Sequence, residues 1–287
     1  MTPSLVRNIV QAIRRHRLAA YYAGALALTW AAWAPLVLGR IVVRPGGWPS
    51  HAPGLLGPAL AALFVTAVAD GPDGLAQIGR SLVRWRFGPG AWLMVASPLL
   101  LFAATALVTT ALGRPLAWDQ LGTMNGFPVG SPLVLGLLLV VINGIGEETG
   151  WRGFAFRELR ARHGLVMSGL LVAPIWALWH VPSFAVLETY RGLGPGELLG
   201  FVIGIASGAI VLGWLYEKSG GSLLAVSLWH GTFNLFTATA AARGPLAAVE
   251  TTAVIVLAVG LVARQAARSR ASWAGAARTR KTTSFSS

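Results

Sequence analysis

The chain contains no cysteine, so it forms no disulfide and offers neither a thiol nucleophile nor a thiolate metal ligand, and its redox surroundings stay open. Charge is nearly as scarce, at 11% of 287 residues, with ten acids and five histidines. The H-E-x-x-H spacing that seats zinc on one helix does not occur. No period of roughly 20 to 50 residues marks a repeat array. With 55% hydrophobic residues gathered in long blocks, the composition excludes an ordinary soluble domain, which interleaves apolar residues with charge.

Apolar runs lie near 18–39, 52–69, 91–112, 131–148, 164–186, 197–216, 222–242 and 246–263. Each is long enough to cross a hydrocarbon core of about 30 Å. The expectation is an all-α, polytopic bundle of eight transmembrane helices, with 18–264 as its domain. The first run follows Arg14, Arg15 and Arg17 but exceeds a cleaved signal's apolar core, so it reads as a retained anchor. Residues 1–17 carry Leu5, Ile9 and Ile13 among cations, as an interfacial helix does. The stretches VRPGGWPSHAPG and DGPDG read as loops between the early helices. Residues 265–287 are small, polar and basic and read as a disordered tail.

The net charge of +13 invites a nucleic-acid reading, but its placement argues against one. With the N-terminus inside, eighteen of the 23 cations fall on the cytoplasmic side, grouped at 7–17, 80–86, 152–162, 218 and 264–281. Only Arg40, Arg44, Arg114, Arg191 and Arg243 fall outside. This is the bias of positive-inside insertion, with anionic lipids as partners and no nucleic acid. Both termini are expected in the cytoplasm. A chain rich in Ala, Arg and Trp without organelle signals reads as bacterial, in the plasma membrane.

An ionised side chain at mid-bilayer costs roughly 2.5 to 3.5 kcal/mol, so polar residues within the runs are functional candidates. They are Glu147, Glu148, Arg152, His180, His230 and Asn234. Glu148 and Arg152 are four apart and pair on a continuous helix, while Glu147 points about 100° away. His230 and Asn234 share another face. Glu147 and His180 each lie 16 residues from the turn at 163–164, about 24 Å at helical rise and therefore level. The fourth, fifth and seventh helices can thus deliver these groups to one chamber, reached on this reading from the cytoplasmic side.

A carboxylate and an imidazole sharing a water can take its proton, while a second imidazole and an amide hydrogen-bond a developing oxyanion. Alternatively, Glu147, His180 and His230 bind Zn²⁺, which acidifies the water. The sequence leaves both open, metal-bound or metal-free.

The pattern E-E-x-x-x-R (Glu147, Glu148, Arg152), an aromatic-x-x-x-H (Trp176 to His180) and H-x-x-x-N (His230 to Asn234) resembles the CPBP family of intramembrane proteases, which includes the CAAX-processing Rce1 endopeptidases. The likeness covers about residues 131–240. It implies that Glu147 and His180 activate the water, that His230 and Asn234 form the oxyanion site, and that Glu148 with Arg152 supports the site or orients substrate. It also implies a membrane-associated protein or peptide as substrate, lipidated and CAAX-like in some members. Family members are commonly labelled metalloproteases, and a metal-free glutamate mechanism is argued for them too. One departure is Trp176, where the family usually has Phe; the reading here is that it packs.

Plainer readings stand beside these. Glu148 and Arg152 can be a structural ion pair, and Asn234 a hydrogen bond between helices. Most of the twelve Trp serve as anchors or packing groups. Gly204, Gly208 and Gly213 have the spacing of a close helix contact. His16, His51 and His163 read as solvated. The competing function is non-catalytic: a transporter with a proton relay, or an immunity or scaffold protein retaining the family shell.

Overall fold

The computed structural model describes residues 3–283. They are nearly all helical, and β pairing among the described residues is confined to isolated bridges such as Val43 with Leu187 and Pro45 with Asn125. A short amphipathic helix, α1 (Pro3–Arg15), precedes α2 (Arg17–Leu38), α3 (Gly57–Leu82), α4 (Pro89–Ala111) and α5 (Pro132–Arg160). Then follow α6 (Leu165–Trp179), α7 (Pro195–Lys218), α8 (Leu223–Thr237) and α9 (Pro245–Thr283).

Among the described residues, seven helices are long and apolar enough to cross a membrane. The seventh predicted run, 222–242, gives only the 15 residues of α8 before a 3₁₀ turn at Ala240–Ala242. At 1.5 Å per residue α8 is about 22 Å long. It packs against α3, α4, α5, α7 and α9, so its ends meet protein, the condition under which irregular backbone is tolerated at depth.

Two other boundaries differ from expectation. DGPDG is a kink inside α3: Gly71 takes φ +65°, a conformation glycine adopts without strain, and the helix resumes at Pro72, whose missing N–H suits a helix start. The boundary set at 265 falls inside α9, because the Ala- and Arg-rich sequence beyond it has high helix propensity. The expected tail's residues 284–287 lie outside the described residues.

The bundle has two distinct ends. At the arginine-rich end, Arg17 pairs with Asp70 and Glu158, Arg160 with Glu217, and Arg157 with Gln77. The turn between α7 and α8 is fastened there: Ser222 Oγ donates to the Arg84 carbonyl at 2.6 Å and caps α8 by accepting from the Ala225 N–H. At the opposite end the loops tie to one another. Val43 N–H donates to Val186 O, Asn125 Nδ2 to Val43 O at 2.7 Å, and Ala240 N–H to Thr123 O.

Two glycines set the closest helix contact. A Cβ on Gly144 of α5 would lie 2.5 Å from the Ser227 carbonyl oxygen of α8, and one on Gly231 of α8 would lie 2.6 Å from the Val140 nitrogen of α5. The backbones therefore touch, the geometry small residues permit in membrane bundles. Gly231→Leu forces the helices apart and is expected to cost about 1 to 3 kcal/mol, read as a lowered melting temperature in detergent. Gly260→Leu, with nothing within 4 Å of the added Cβ, is expected to melt like wild type.

Candidate active site

Helix α5 contains two π segments, Leu139–Ile145 and Trp151–Phe156, on either side of the α-helical turn Gly146–Gly150. Such widened turns frequently mark functional sites. Glu147 and Glu148 occupy the turn between them, beside the Gly144–Gly231 contact.

Glu148 is 0% exposed, and its Oε1 accepts from Arg152 Nη1 at 2.9 Å and His230 Nδ1 at 2.7 Å. The Arg152 guanidinium lies over the Trp176 ring, 4.4 Å from its centroid, and Nη2 donates to the Gly208 carbonyl at 3.4 Å. A cation so surrounded gains from the ring's negative face as well as from the carboxylate. The predicted ion pair is therefore real, and it has a third member, His230, that the spacing did not announce.

Glu147 points elsewhere, as the helical rotation required. Its Oε2 accepts from Trp176 Nε1 at 3.0 Å and its Oε1 from Asn143 Nδ2 at 3.5 Å. Trp176 thus packs, as read from sequence, and also supplies a donor that phenylalanine lacks. His180 follows the last residue of α6, and its Nδ1 lies 2.7 Å from the Trp176 carbonyl. A carbonyl only accepts, so Nδ1 carries the proton and Nε2 keeps its lone pair. The rings of Trp179 and Phe201 hold the imidazole edge to face at 4.7 and 5.3 Å. Trp176 touches both water-activating candidates, one through its indole and one through its backbone.

These groups line one chamber of about 940 Å³: Glu147 and Asn143 from α5, Trp176 from α6, His180 just beyond it, and His230 and Asn234 from α8. Glu148 and Arg152 are absent from the lining and stand behind it. Of the six residues singled out, four face the cavity and two hold the wall. The side chain of Asn234 makes no hydrogen bond among the described residues, so the helix-bridging reading is not realised.

Sequence reasoning missed Asn143, hidden at the end of an apolar run; its clue is the four-residue spacing to Glu147. It also misassigned His51, which is 3% exposed, lines the chamber, and is pushed down to about 4 by burial, hence neutral at pH 7. The loop around it folds over the bundle and removes it from solvent. The α7 glycines need correction as well. Gly213 does pack, since a Cβ there would meet the Phe156 ring, and Gly208 is in ordinary contact with Trp176. Gly204 has nothing within 4 Å and opens onto the chamber, as does Gly200.

The chamber also reaches a different end of the bundle from the one expected. Its exposed lining, Glu188, Gly192, Glu197, Arg243 and Gly244, lies among the loops opposite the arginine-rich turns. The groups sit near those loops because α6 stops at Trp179 and α8 at Thr237.

Glu147, His180 and His230 do not stand in the structure as a ready zinc set. Among the described residues no three His, Cys, Asp or Glu side chains are grouped to hold a metal ion.

Residues 129–236 match the model of the Rce1-like family, described as type II CAAX prenyl endopeptidase Rce1-like. A protein named CAAX prenyl protease 2, from Methanococcus maripaludis, is 27% identical over 171 residues, which cover 57% of this chain and 62% of the relative. The match thus spans less than two thirds of that relative's length. The matched segment carries the three motifs and the chamber wall they build, and in that segment the chain is similar to the Rce1-like family.

Proposed function

We propose that the chain is an intramembrane endopeptidase that hydrolyses a peptide bond of a membrane-associated substrate without a metal. The observation that carries this reading is the convergence of Glu147, His180, His230 and Asn234 on one chamber. The family and the archaeal relative, both named for prenylated CAAX substrates, support the reaction class.

A water between Glu147 and His180 donates one hydrogen bond to the carboxylate and the other to His180 Nε2. Glu147 takes the proton as the oxygen attacks the scissile carbonyl carbon, general-base catalysis worth about 10² to 10⁴. The carbonyl oxygen becomes an oxyanion and accepts from the Asn234 amide and from a protonated His230 Nε2. Glu148 holds the other face of that ring through Nδ1, and Arg152 balances the Glu148 charge. When the C–N bond breaks, the proton on Glu147 passes to the departing amine; the acid product releases the water's second proton to solvent and leaves as a carboxylate, restoring the starting enzyme. Asn143 and Trp176 keep the Glu147 carboxylate aimed by occupying one oxygen each.

Three outcomes are expected with purified protein in liposomes and a cleavable membrane peptide. Glu147→Ala and His180→Ala each lower turnover by about 10² to 10⁴, and Asn234→Ala by about 10² to 10³, with melting temperatures near wild type. Turnover that survives both of the first two substitutions sinks the assignment. Arg152→Ala leaves a buried carboxylate without its cation and is expected to cost about 3 to 5 kcal/mol of stability. Thermal melts therefore separate it from the Glu147 and His180 variants. Turnover is expected to persist through dialysis against a strong chelator; loss restored by added Zn²⁺ would return the metal to the mechanism.

A further inference from the structure

The chamber is closed toward one end of the bundle and open toward the other. Between Glu147 and the arginine-rich turns the interior is filled by Tyr21, Trp151, Phe154, Phe156, Leu215 and Leu223, each 0 or 1% exposed. Tyr21 packs against Trp151 and Phe154 with ring centroids 5.8 and 5.0 Å apart. No chamber-lining residue comes from the turns at 80–86, 157–162 or 217–223, which form that end. The exposed lining belongs wholly to the opposite end, at 188–200, which includes the start of α7, and at 243–244.

The same two ends divide the charge. The turns at 80–86 and 157–162, Lys218, the N-terminal helix and the end of α9 hold most of the arginine and lysine; the chamber end holds Arg40, Arg44, Arg114, Arg191 and Arg243. Cations near helix ends are retained on the cytoplasmic side during insertion, and excess of this size sets orientation. The anionic inner leaflet adds about 1 kcal/mol per basic residue in the same direction.

We infer that the chamber opens on the non-cytoplasmic face, and that its substrate is a peptide segment presented from that side of the membrane by an exported or membrane-anchored protein. A cytosolic prenylated C-terminus would arrive at the closed end, against the aromatic plug. This inference rests on the endopeptidase reading for its substrate and on charge and cavity shape for its side.

The absence of cysteine makes the side directly measurable, since one substitution introduces one thiol. Gly192 lines the open end, and nothing lies within 4 Å of an added Cβ; Arg162 is exposed in the turn at the closed end. Gly192→Cys and Arg162→Cys are expressed separately in bacterial cells. Spheroplasts of each are treated with a membrane-impermeant maleimide before and after permeabilisation. Gly192→Cys is expected to react in intact spheroplasts, at least tenfold more than Arg162→Cys, which reacts fully once the membrane is opened. The reverse pattern, or reaction of Gly192→Cys only after permeabilisation, overturns the inference. Labelling needs no turnover, so an inactive protein that labels from outside would refute the endopeptidase reading and leave the sidedness standing.

Discussion

Burying Glu148 is the constraint around which the rest of the structure is arranged. A carboxylate with no exposed surface persists only where donors replace water. Here Arg152 comes from the next turn of α5 and His230 from α8. The second partner is within reach because Gly144 and Gly231 let the two backbones touch. Widening that contact by a side chain would pull the imidazole from the carboxylate. Packing of two helices and orientation of the His230 ring are therefore one requirement, met by two glycines.

The aromatic residues then decide where the chamber ends. Trp176 lies under the Arg152 cation, bonds Glu147 through its indole and accepts from His180 through its carbonyl, so a single residue links the buried ion pair to the cavity wall. Below it, Tyr21, Trp151, Phe154 and Phe156 fill the bundle. On the other side, Trp179 Nε1 donates to Thr29 Oγ1, which donates to Gly54 O, and Trp33 Nε1 donates to His51 O, each at 2.7 Å. These bonds draw α2 and the loop at 51–54 against α6 and form the chamber's roof.

Much of this was legible from local rules. Hydropathy gave the helices, four-residue spacing gave the Glu148–Arg152 pair, and equal distance from one turn put Glu147 level with His180. What escaped depends on neighbours that spacing does not name. That His230 bonds Glu148 follows from which helix presses on α5. His51 reads as a loop residue until the loop is seen to fold over the bundle. Asn143 is one polar group at the end of an apolar run, and its role exists only because Glu147 lies a turn away. The run at 222–242 had the hydropathy of a span, but α8 ends at Thr237, where surrounding protein tolerates irregular backbone. The direction in which the chamber opens required knowing which half of the interior the rings occupy.

Gly200, Gly204 and Gly208 leave a strip of bare main chain on the α7 side of the chamber, flanked by Phe201, Ile205 and Leu212. A strip with no side chains presents the same peptide groups along its length and has little with which to tell one residue of a passing polypeptide from another. Selection along that strip is by girth and flexibility, so sequence preference has to be imposed by the side chains that flank and face it.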